Sequence, residues 1–189
     1  MKKIAIILAN EMNDIDLFIP LAIWRQGKIS VDLISIEKKN SVMMESGTKV
    51  GCTAVFETVN MTQYHAIYIP GGPGVCRLSK DNWPVKIGQG VLKLNKAIEN
   101  FRIDKQKMVF VTADSSSLLN ELQLIGNARI AGFDKSYVRD PNIKEEILVN
   151  NNLVSVVGYW ALTDFAIETL GLLVGQEQKE QIAKKYYND

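Results

Sequence analysis

The chain has 189 residues, 47% hydrophobic and 23% charged, enough for one sizeable core and too few for two ordinary domains with a linker. With 22 basic against 21 acidic residues and a net charge of +1, no electrostatic footprint points to nucleic acid or to an anionic membrane. Two cysteines and a single histidine, His65, cannot build a disulfide framework or a zinc site of ordinary ligand count, so no structural metal is expected; no cofactor is expected either.

Met1-Lys2-Lys3 and the apolar run from Ile4 to Ala9 have the outline of a signal peptide, but the run breaks at Asn10-Glu11 without a cleavage site. It reads instead as a buried first strand over Lys3 to Leu8, isoleucine-rich and covered on both faces in a parallel sheet. No segment reaches the roughly 18 uninterrupted apolar residues of a membrane span. The expectation is a soluble, cytoplasmic, single-domain protein (1–189) with free thiols.

Asn13 or Asp14 can cap the following helix, whose apolar face is Leu17, Phe18, Leu21, Ile23 and Trp24 and which Gly27 closes. Pro20 is tolerable there if it lies in the first turn. Ile29 to Ile36 alternates and then runs apolar, as a second strand near a sheet margin would, and the β-α-β order implies a parallel pair with a right-handed crossover. Lys49 to Phe56, after the turn Ser46-Gly47, reads as a short added strand or ribbon. Ala66 to Ile69 is the next strand and stops on Pro70-Gly71-Gly72-Pro73-Gly74. Consecutive glycines let bare N–H groups approach a ligand, although such a turn can equally be a tight loop, and neither phosphate-binding glycine fingerprint is present.

Trp83 to Asn100 has helical spacing, and Lys107 to Val111 is a central strand. Thr112-Ala113-Asp114-Ser115 then turns into a helix ending at Gly126. In α/β enzymes such a strand, turn and helix lifts a nucleophile out of the sheet edge, with the following N–H groups aimed at a reacting oxygen. Here the apex holds neither a thiol nor an evidently activated serine. Ala128 to Ala131 is a candidate short strand; Ile147 to Val149 and Leu153 to Val157, around asparagines 150 to 152, form an antiparallel hairpin. Thr163 or Asp164 caps a closing helix from Phe165 to Val174, stopped by Gly175, and Gln176 to Tyr187 is a polar helical tail.

The Ile-rich first strand leading to an acid and Ile19-Pro20, the strand ending Pro70-Gly71-Gly72, and the central strand and elbow together resemble the ThiJ/PfpI superfamily, from Lys3 to about Lys185. The resemblance implies a class I glutamine-amidotransferase-like fold: a flavodoxin-like three-layer α/β/α sandwich with a mainly parallel sheet, in a homodimer. That superfamily includes peptidases, amidases, isonitrile hydratases, glyoxalase-type deglycases and sensor domains of transcription regulators. The resemblance places the acid that meets the nucleophile on Asp16, the oxyanion donors on the backbone N–H groups of Gly72 and Ala113, and the nucleophilic cysteine on Thr112. It also puts Gly71, Ser115, Tyr159 and Trp160 at the pocket. Where many members carry a histidine after the elbow helix, this chain has Ala131-Gly132-Phe133-Asp134.

A threonine hydroxyl, unlike a thiol, needs an adjacent base. Asp16 is a weak one unless burial or a neighbouring carboxylate raises its pKa, and Asp114 is the candidate neighbour, unless it only caps the helix. Cys76, four residues past Gly72, is a candidate reactive thiol or an inert small residue. Three functions stand: a homologue without cysteine chemistry that binds a small molecule or regulates; a hydrolase-, hydratase- or lyase-type enzyme in which Asp16 and Asp114 act as acid and base on a small substrate; and, as the weakest of the three, a redox sensor through Cys76.

Overall fold

The computed structural model describes residues 1–79, 89–131 and 144–187. Nine strands are defined there: β1 (Lys3–Leu8), β2 (Ser30–Ser35), β3 (Ser41–Met43), β4 (Lys49–Gly51), β5 (Ala54–Val55), β6 (Ala66–Ile69), β7 (Met108–Thr112), β8 (Ile147–Asn150) and β9 (Leu153–Val156). Five helices accompany them: α1 (Asp14–Gln26), α2 (Gln89–Ile103), α3 (Ala113–Glu121), α4 (Leu162–Val174) and α5 (Gln176–Tyr187). Seven strands form one sheet in the order β5-β2-β1-β6-β7-β9-β8, parallel except for the β8–β9 hairpin. This is the flavodoxin-like α/β arrangement, a mainly parallel sheet flanked by helices.

The central strands are apolar on both faces because both are covered. Ile4 to Leu8 and Ala66 to Ile69 are all fully buried. Trp24 of α1 meets Tyr68 of β6 edge-on at 5.2 Å, and Phe110 of β7 and Phe165 of α4 complete that aromatic cluster. Helix α4 packs on α1 and α5 on α4, while α2 lies against β6 and β7. Among the described residues no helix is long and apolar enough to cross a membrane.

Several expectations need adjustment. Asn13 is the N-cap of α1, but Pro20 lies in the helix interior rather than its first turn. Phe18 is 42% exposed. It sits about 100° round the helix from Leu17, off the stripe formed by Leu17, Leu21 and Trp24. The segment after β2 makes a separate two-stranded ribbon, β3 with β4, before β5 joins the outer edge of β2. Helix α2 runs on to Ile103 because Phe101 continues the buried series Leu94, Ala97, Ile98; residues 80–88, with Trp83, lie outside the described part.

Helix α3 stops at Glu121, short of Gly126. Gln123 takes the left-handed conformation (φ 58°), and the N–H of Leu124 donates to the carbonyl of Leu119 at 2.8 Å, a Schellman closure without glycine. The strand expected over Ala128 to Ala131 shrinks to one bridging residue, Ile130. Helix α4 begins at Leu162 with Ala161 as its N-cap; Asp164 lies in the first turn and accepts a hydrogen bond from the hydroxyl of Tyr187.

Candidate functional site

In open α/β sheets, loops at the carboxyl ends of strands gather ligands where the chain order reverses. Here β1 lies between β2 and β6, so that point falls between the ends of β1 and β6, with β7 next. The loops after β1 and β6 are locked together by backbone bonds: the N–H of Asn13 donates to the carbonyl of Gly71 (2.9 Å) and that of Gly74 to Glu11 (2.8 Å). Glycine is required by this approach, since a Cβ on Gly74 would stand 2.1 Å from the carbonyl oxygen of Asn10 and Gly72 has φ 102°.

Three side-chain oxygens converge over Gly71. A Cβ on that residue would lie 2.6 Å from Asp16 Oδ2, 2.6 Å from Thr112 Oγ1 and 2.9 Å from Asp114 Oδ2. Asp16 comes from the first turn of α1, Thr112 ends β7, and Asp114 lies in the first turn of α3. The N–H of Gly71 donates to Asp16 Oδ2 at 2.9 Å, and the N–H of Gly72 donates to Asp114 Oδ2 at 3.0 Å. The structure therefore brings together the two carboxylates, the elbow threonine and the two glycines.

Their electrostatics differ. Asp16 is 7% exposed, and burial pushes its carboxyl up to about 6. The amide of Gly71 and the hydroxyl of Thr112 favour its ionised form, whereas Asp114 and Glu45 disfavour it. Asp114 is exposed. It does not serve as the N-cap of α3; that place belongs to Thr112, with Ser115 Oγ accepting from the N–H of Thr112 (2.9 Å). Ser115 is wholly buried, and its hydroxyl donates to the carbonyl of Ile69 at 2.6 Å, tying the elbow to β6.

Thr112 itself is 3% exposed. Ala113 opens α3, so its N–H has no acceptor within the helix. Tyr159 and Trp160 follow β9 at the same end of the sheet, because Thr112 is in register with Val156. Both are exposed; their rings meet edge-on at 5.4 Å, and Trp160 Nε1 donates to Glu146 at 2.8 Å. Cys76 is an exposed free thiol in the 3₁₀ turn Pro73–Leu78, and Cys52 is half-buried with its pKa raised to about 11 by burial. His65 accepts a hydrogen bond from the N–H of Lys3, away from the site. Residues 132–134 lie outside the described part. Among the described residues no group of three or more His, Cys, Asp or Glu side chains could hold a metal ion.

Sequence reasoning missed Tyr68, which lies beneath the site and donates its hydroxyl to the main-chain carbonyl of Asp16 at 2.7 Å. The available signal was a phenol in an otherwise aliphatic buried strand, since a buried tyrosine hydroxyl needs a partner. Glu45 was missed too; it reaches the site from the turn after β3 and accepts from Asn13 Nδ2 at 3.2 Å.

The family model described as DJ-1/PfpI family matches residues 2–170. An uncharacterised protein of Mycoplasma pneumoniae is 29% identical over 189 residues, covering 96% of this chain and 86% of its own. A Bacillus subtilis protein printed as "Putative cysteine protease YraA" is 25% identical over 178 residues, covering 91% and 98%. Among solved structures, the oxidised DJ-1 of Toxoplasma gondii superposes with a TM-score of 0.83 at 20% identity, covering 99% of this chain and 98% of that one.

Proposed function

Because the chain belongs to the DJ-1/PfpI family, we propose that it is a homologue whose cysteine position is held by Thr112 and which binds a small molecule or regulates, without covalent thiol chemistry. One observation carries this reading: the N–H of Gly72, the donor that would receive a developing oxyanion, is already occupied by Asp114 Oδ2 at 3.0 Å. A tetrahedral intermediate would have to displace a carboxylate to reach it. The hydroxyl of Thr112, 3% exposed, offers no accessible nucleophile in its place. Ligand groups that donate N–H or O–H fit the exposed oxygens of Asp114 better than anions do. The same proposal takes the 189 residues as one domain of a cytoplasmic homodimer.

A second reading is favoured by Asp16, whose carboxyl at about 6 lies beside a second carboxylate. Such a pair can divide acid and base roles on a small amide- or nitrile-like substrate. The purified protein should be assayed against small glyoxals, amides, nitriles and peptides alongside Thr112→Val, Asp16→Asn and Asp114→Asn. The binding reading expects no turnover, with ligand-dependent shifts of the Gly72 amide resonance. Turnover abolished by Thr112→Val would sink it. Turnover that survives Thr112→Val, changes with pH around 6 and disappears in both asparagine variants would establish the second reading instead.

A further inference from the structure

We propose that Tyr68 is the positioning residue of this site: its hydroxyl replaces the helix hydrogen bond that Pro20 removes, and so fixes Asp16 where its carboxyl meets Gly71 and Thr112. In an α-helix the N–H of residue 20 would donate to the carbonyl of residue 16. Proline has no N–H, and its ring crowds that same carbonyl. Pro20 is buried in the interior of α1, so its own helix supplies no N–H from residue 20 to the carbonyl of Asp16. Left without a donor, it would favour a local shift of the helix toward water.

The donor arrives from another element. Tyr68 is fully buried on β6, and its hydroxyl stands 2.7 Å from the carbonyl oxygen of Asp16. The ring is held by Trp24 at 5.2 Å and Phe165 at 5.8 Å, and Trp24 is itself fixed by donating Nε1 to Ala166 O (3.1 Å) and Thr169 Oγ1 (3.0 Å). The main chain at Asp16 is therefore referenced to the sheet, which also carries Gly71 and Thr112, and not only to its own helix. The carboxyl and its partners then share one rigid support, as a preorganised site requires.

This inference rests on reading Asp16 as the buried carboxyl of the functional site, but its test reads that carboxyl directly and needs no ligand. In the wild type, the Gly71 amide resonance should move with pH with a midpoint near 6. Tyr68→Phe keeps the ring and removes one oxygen. The Gly71 response should then weaken and its midpoint rise by roughly half a unit or more, because the amide that favours the ion is drawn away while burial persists. Pro20→Ala supplies the missing N–H, so adding Tyr68→Phe to Pro20→Ala should leave the titration as it is in Pro20→Ala alone.

A merely structural tyrosine would lower stability equally in both backgrounds without moving the midpoint. A folded Tyr68→Phe that titrates like the wild type overturns the inference, as does an undiminished effect in the Pro20→Ala background. If Tyr68→Phe alone does not fold, a folded double variant titrating like Pro20→Ala still supports it, and a double variant that also fails to fold refutes it. Failure to find any ligand would remove the binding reading while leaving this titration unchanged.

Discussion

Between its ordinary value of 3.8 and its folded value of about 6, the carboxyl of Asp16 keeps a proton in the folded chain that it has already lost in the unfolded one. The folded state binds the extra proton, so stability falls as pH rises through that window, and the loss is complete above the folded value. Asp16→Asn cannot ionise and keeps an oxygen for the N–H of Gly71. It is expected to match the wild type near pH 4 and to exceed it near pH 8 by about 2–3 kcal/mol before any relaxation. Thermal unfolding across that range checks this; a difference independent of pH would show that Asp16 titrates normally. The residues of this site could be named from the chain because each ends or begins an element at a sharp change of composition. Their mutual distances could not, since Asp16, Gly71 and Thr112 are far apart in sequence.

Element boundaries were legible where a side chain announces them. Asn13 caps α1 and Gly175 closes α4 with φ 101°. They were hidden where the backbone closes itself, as at Gln123, a residue with no intrinsic preference for that conformation. The hairpin of β8 and β9 shows both cases. Asn151 takes φ 56°, as a turn asparagine readily does, whereas the role of Asn152 is tertiary. Its Nδ2 donates to the carbonyls of Phe101, Arg102 and Asp104, and its Oδ1 accepts from Arg102 Nη1 at 2.8 Å, so it satisfies the end of α2 from the neighbouring hairpin turn. Asn152→Ala should therefore cost roughly 1–3 kcal/mol, although the residue sits in a loop. A urea midpoint equal to that of the wild type would count against this bracing role.

At the scale of the molecule, three of the large apolar side chains left exposed belong to the start of α1 and to the ribbon bonded to it. Ile15 is 45% exposed, Phe18 42% and Met43 46%. The start of α1 and the β3–β4 ribbon that carry them are joined by backbone bonds, Glu11 N–H to Met43 O (2.7 Å) and Glu45 N–H to Met12 O (2.9 Å). Exposed apolar side chains grouped in this way favour association, and we propose this surface for the homodimer. Phe18→Glu should convert a sedimenting dimer to a monomer with its circular dichroism unchanged. A wild type that sediments as a monomer at micromolar concentration would remove the dimer.

The sequence by itself determined the α/β class, the order of the principal strands and helices, and which residues stand at strand ends. These follow from local hydrophobic period and from residues such as glycine, proline and asparagine that act on their own backbone. Only the tertiary structure decided that Asp114 turns from its helix to the amide of Gly72, that Asp16 is buried enough to hold a proton to about pH 6, and that Tyr68 repairs the gap left by Pro20. Each of these depends on which polar partner lies across a gap between elements, and that is set by how the sheet and helices pack rather than by any residue's neighbours in the chain.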